Sequence, residues 1–82
     1  MKSPLEQAQD YKNRIDYLKL ELSAENTNPE GLKTSIIYWK GRTQTLLETC
    51  EWILSRPIVL KLNTSEIYET EQAIEICKEI LK

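Results

Sequence analysis

The side chains able to do chemistry in this 82-residue chain are few and unevenly placed. Histidine is absent, so the usual general base and metal ligand near neutral pH is missing. Cys50 and Cys77 have neither a histidine nor a local Cys-x-x-Cys partner to activate them, and both fall on apolar helix seams. They are expected to be inert core thiols that pack as small hydrophobes. Glu71, Glu75 and Glu79 form a carboxylate ladder, while aspartate occurs only at positions 10 and 16. A hard cation needs oxygens converging from more than one element, so the ladder reads as a solvated acidic face. No catalytic residue, metal ligand or cofactor is expected, and the chain is not expected to be an enzyme.

One window does suggest recognition chemistry. No acid occurs between Glu30 and Glu48, yet Lys33, Lys40 and Arg42 lie there beside Tyr38 and Trp39. Lysine or arginine can meet a phosphate while a tyrosine ring offers a stacking face. Lys33, Tyr38, Lys40 and Arg42 are therefore the expected ligand-binding set. The plainer account is that the glutamates of the last helix, Glu66, Glu69, Glu71, Glu75 and Glu79, supply complementary charge within the molecule or across an interface.

Three helices must position these groups. Ser3-Pro4-Leu5-Glu6 combines a capping serine, a proline at the first helical position and a glutamate that can reach back to the cap. Ala8, Tyr11, Ile15, Leu18 and Leu22 then step by 3, 4, 3 and 4 residues, the seam of a helix packed along its length. The first helix is predicted over 4–23. Asn28-Pro29 repeats the start signal, and Leu32, Ile36, Trp39, Thr43, Leu46, Cys50 and Ile53 continue the same spacing up to the break at Pro57. The second is predicted over 29–55. Thr43, within that seam, is expected to bond back to a helix carbonyl. Asn63 or Thr64 caps a third helix over 64–82, with Glu66 as reciprocal partner and Ile67, Ala73, Ile74, Ile76, Cys77, Ile80 and Leu81 as its apolar face. Ile58 to Leu62 reads as an apolar connector laid over the bundle end, with a strand as the lesser option. The fold class is all-α: residues 1–82 as one antiparallel three-helix bundle around a long central helix.

The second helix departs from a plain bundle. Its side opposite the seam carries Gly31, Thr34, Tyr38, Gly41, Thr45, Thr49, Trp52 and Arg56, with Lys33 and Lys40 on one flank and Arg42 on the other. A solvated face normally carries lysine, glutamate and glutamine. Either the first and third helices cover this helix on two sides, or it has a second interface. Tyr17 and Leu20 also lie off the seam of the first helix. The expected interface set is Tyr17, Leu20, Thr34, Tyr38, Gly41, Thr45 and Trp52. A chain this short buries only about 60 to 65 % of its unfolded surface, so self-association as a two-fold dimer is expected.

A net charge of −2 disfavours a nucleic-acid partner. The absence of a long apolar run, or of an apolar core near Met1, points to a cytoplasmic chain with no membrane partner. Asn28-Pro29-Glu30-Gly31, Tyr38 with Arg42, and Glu71-Gln72-Ala73 in the final helix resemble the small helical bacteriophage sponge proteins that sequester cyclic-nucleotide immune signals, over about residues 26–82. That resemblance implies a non-enzymatic oligomer with nucleotide pockets between protomers. Two functions follow as expectations. The first is a self-associating inhibitor or adaptor acting through protein contacts. The alternative is sequestration of a small anionic nucleotide at a subunit interface.

Overall fold

The structure, a computed structural model, describes residues 3–24, 29–56 and 58–82. The expected cap at Asn28 and the expected break at Pro57 lie outside the described residues. Three helices run in order: α1 (Pro4–Ser23), α2 (Pro29–Leu54) and α3 (Thr64–Ile80). The second ends one residue and the third two residues before their predicted limits.

The start signals work as the residue types dictate. The Ser3 hydroxyl oxygen accepts from the Glu6 amide at 3.2 Å and donates to the Glu6 carboxylate at 3.4 Å. Asn63, rather than Thr64, caps α3: its side-chain oxygen accepts from the Glu66 amide at 2.8 Å, and its amide nitrogen donates to the Glu66 carboxylate at 2.9 Å. Each cap satisfies a backbone donor that the first turn would leave orphaned.

The chain is all-helical and packed as an up-down-up bundle. Ala8 meets Leu46 and Cys50 of α2 and Ala73, Ile74 and Cys77 of α3 in one core cluster. Near one end Ser3 and Pro4 line a groove with Ile53, Glu66 and Thr70. Farther along, Lys12, Ile15 and Lys19 line another with Glu79 and Ile80. α1 and α3 therefore run in the same direction and α2 runs against them. Every expected seam position of α1 and α2 is buried or half-buried.

Two expectations need correction. The α3 face carries an additional buried residue, Thr70, whose hydroxyl donates to the Glu66 carbonyl at 2.8 Å and so enters the core without an orphaned polar atom. The connector is not a strand, and only its last residue, Leu62, lies over the bundle end, in the groove with Ser3, Pro4 and Ile53. The segment is a turn closed by Leu60 N–H to Arg56 O and Lys61 N–H to Ile58 O, at 3.1 and 3.2 Å. Lys61 has φ 54°, a left-handed conformation uncommon outside glycine and asparagine. The turn leaves Ile58 and Val59 facing outward, 89 % and 74 % exposed, while only Leu62 is half-buried.

The molecule is long for its mass. Its principal extents are 50 × 23 × 17 Å and its radius of gyration is 14.8 Å, against about 12 Å for a compact chain of this length. At about 1.5 Å per residue, α2 is roughly 39 Å long and α3 roughly 26 Å, so α3 packs chiefly against the second half of α2.

The core assignment makes a direct prediction. Ile15→Ala, at a site 1 % exposed, should cost about 2 to 5 kcal/mol in denaturant unfolding. Ile37→Ala, on the open flank of α2, should change stability by no more than about 0.5 kcal/mol.

Candidate functional site

The expected recognition residues divide into two groups because they lie on different sides of α2. Residues 40 and 42 are separated by about 200° of helical turn. Arg42 and Tyr38, one turn apart, face α1 together, and the Arg42 Nη1 donates to the Tyr38 hydroxyl at 3.2 Å. Lys40 is half-buried on the other flank. Lys33 lies 3.7 Å from Glu30 in an exposed ion pair of its own helix.

α1 supplies members that the sequence did not single out for recognition. The Tyr11 and Trp39 rings lie 5.6 Å apart, and Tyr38 meets Trp39 edge-on at 5.2 Å. The Arg42 guanidinium sits 5.9 Å from the ring centres of Tyr11, Tyr38 and Trp39 alike, and that of Arg14 lies 4.8 Å over Trp39. Hydrogen bonds to the hydroxyls of Tyr11 and then Tyr38 raise the Arg42 pKa further above its ordinary value. Below this cluster is an open cleft of about 320 Å³ lined by Pro4, Gln7, Tyr11, Arg42, Thr45, Leu46 and Thr49. Chemically it offers a fixed planar cation beside aromatic faces, which suits an anionic or aromatic group rather than a reaction centre.

The acidic helix does not neutralise this cluster. Among the described residues no α3 glutamate forms an ion pair with Lys33, Lys40 or Arg42. Glu79 instead faces Lys12 of α1, which is held charged first by its 2.9 Å bond to Asp16 and only last by Glu79. No three acidic or thiol side chains converge among the described residues.

The proposed interface stripe is open. Thr34, Tyr38, Gly41, Thr45 and Trp52 are all exposed, Tyr38 by 55 % and Trp52 by 51 %. The idea that neighbouring helices cover this side of α2 is therefore overturned. Thr34, Thr45 and Thr49 donate their hydroxyls to the carbonyls of Glu30, Gly41 and Thr45, at 3.0, 3.2 and 2.9 Å. The hydroxyl hydrogens are thereby satisfied within the helix, while the oxygens remain able to accept. A Cβ on Gly41 would meet nothing within 4 Å. Tyr17 and Leu20 are exposed on α1, on the side opposite Ile15, and Tyr17 is engaged with Glu21, whose carboxylate raises its pKa. They form a separate patch and share no ring contact with the α2 stripe among the described residues.

Both thiols are free and buried in the common core. Burial raises both pKa values, and with a smaller contribution from Cys50 the Cys77 thiol is pushed up to about 11. The folded chain holds this proton more tightly than the unfolded chain. The associated stability is intact below the ordinary value of 9.0 and is lost as pH rises towards 11. A disulfide reagent at pH 8 should modify neither thiol rapidly until denaturant is added, after which both should react. Cys77→Ala should flatten the decline in stability above about pH 9 relative to the unsubstituted protein.

No protein-family model, curated protein or solved structure matches this chain.

Proposed function

We propose that this chain is a small, non-enzymatic binding protein that pairs with a second copy through the open stripe of α2, then acts on another protein as an inhibitor or adaptor. The observation that carries this reading is Gly41. A glycine inside a helix costs about 0.5 to 1 kcal/mol relative to alanine, yet nothing in its own chain requires the missing side chain. A closely approaching partner backbone would.

The chain exposes 5881 Å², whereas a compact 9.6 kDa monomer exposes about 5,100 Å², so its extended outline leaves surface open to a partner. Tyr38 and Trp52 bracket the stripe as aromatic anchors of the kind that dominate binding energy. The absent histidine and the buried, protonated thiols favour binding over catalysis.

Light scattering at tens of micromolar should give twice the chain mass. Gly41→Ala should stabilise the isolated helix, whereas Gly41→Leu should weaken pairing while leaving helicity unchanged, because only a partner lacks room for the larger side chain. A chain-mass reading at those concentrations would remove the pairing proposal.

The Arg42 cluster supports a second reading, sequestration of an anionic nucleotide, with Arg42 on phosphate and Tyr38 against the base. A nucleotide at about 100 times its dissociation constant should stabilise the fold by about 2.7 kcal/mol, readable as a raised melting temperature. Arg42→Ala should then weaken binding by at least about tenfold, and Tyr38→Phe should leave it nearly unchanged. A panel of cyclic and linear nucleotides giving no shift would exclude this reading.

A further inference from the structure

The end of the bundle formed by the α2–α3 connector carries an apolar pair that neither proposed site uses, next to Trp52 at the last turn of the α2 stripe. Ile58 and Val59 are the most exposed large apolar residues described, and they project from a turn rather than lining a groove. Their presentation is fixed by the two backbone hydrogen bonds within the turn and by left-handed Lys61. Those bonds also satisfy the Leu60 and Lys61 amides internally, which removes part of the cost of moving the turn out of water.

The flanking residues are cationic and aromatic. Trp52, half-exposed, carries the Arg56 guanidinium 5.7 Å from its ring centre, and Lys61, which follows the apolar pair in the chain, is exposed. The nearest following acid, Glu66, is occupied by the Asn63 amide at 2.9 Å. An aliphatic tip flanked by a tryptophan and two long cations matches the layering of a bilayer surface. Acyl chains take the aliphatics, the headgroup boundary takes the indole, and lipid phosphates meet arginine and lysine.

We propose that the 58–61 turn is a peripheral docking tip for an anionic lipid surface, with Ile58 and Val59 entering the acyl boundary and Arg56 and Lys61 on lipid phosphates. The bilayer is favoured over a protein groove because the apolar pair stands exposed on a turn and exposed cations precede and follow it in the chain. This contact is peripheral. Among the described residues no helix is long and apolar enough to cross a membrane, and the expectation of no membrane partner concerned spanning and leader segments, not a surface contact.

Flotation with phosphatidylcholine vesicles containing about one third phosphatidylserine tests the proposal. The full chain should float with these vesicles, less with phosphatidylcholine alone, and less as salt rises from about 0.1 to 1 M. Trp52 emission should shift to the blue on binding. Ile58→Asp with Val59→Asp should weaken binding by at least about tenfold, with circular dichroism unchanged because neither side chain is in the core. Arg56→Gln with Lys61→Gln should remove the preference for the anionic vesicles. No flotation with either vesicle overturns the proposal, as does flotation that survives the double aspartate change. A lower solution mass for the aspartate variant without vesicles would overturn it in favour of a contact between protein chains.

Discussion

Three helices meet in this chain at a layer of small side chains. Ala8, Cys50, Ala73 and Cys77 are fully buried in one cluster, and Thr43 is fully buried nearby on α2. Among the described residues Ile15 is the one large aliphatic with less than 2 % exposure. Small residues at a crossing let helix axes approach closely, and they also limit the apolar area that the crossing can remove from water. The chain therefore has a thin core, an extended outline and more surface than its mass requires. Its open stripe, its outer aromatics and its apolar tip are all expressions of that deficit.

None of the described aromatic side chains is buried in this centre. The sequence has no phenylalanine, and Tyr38, Trp52 and Tyr68 stand on the outside while alanine, cysteine, isoleucine and leucine form the core. Scattered exposed apolar residues need no explanation, but clusters of them do. Here the outer aromatics are accompanied by arginine: Arg42 with Tyr11, Tyr38 and Trp39, Arg14 with Trp39, and Arg56 with Trp52. Each guanidinium covers part of a ring with a group that remains hydrated, which tempers self-adhesion while leaving the ring able to meet a partner.

Local signals carried most of the architecture. The serine and asparagine caps each act within three residues of themselves, and the alternating seams of α1 and α2 need only helical periodicity, so both could be read from the chain. Thr70 was missed because a threonine looks like a gap in an apolar face until its hydroxyl is seen to bond back to Glu66. The Arg42 cluster was half legible. Tyr38 and Arg42 are one turn apart on a single helix, but Tyr11 and Arg14 join them only through the rotation and register of α1 against α2, which sequence spacing does not encode. The spacing of Lys40 and Arg42 places them on opposite flanks, and they remain apart because residues two apart on a helix point in nearly opposite directions. The outward turn at Ile58 was hidden because its left-handed residue is a lysine, with no glycine or asparagine to announce it.

The up-down-up topology has an electrical consequence. Each helix is equivalent to roughly half a positive charge at its first turn and half a negative charge at its last. In a bundle with an even number of alternating helices these contributions cancel at both ends. With three they cannot: the first turns of α1 and α3 share an end with the last turn of α2, leaving a surplus of about half a positive charge there and the opposite at the far end. Glu6 and Glu66, in the first turns of α1 and α3, bring two formal negative charges to the positive end, more than enough to cancel its surplus. Helix parity creates a backbone surplus at the end bearing Ile58 and Val59, and the same carboxylates that close the first turns remove it.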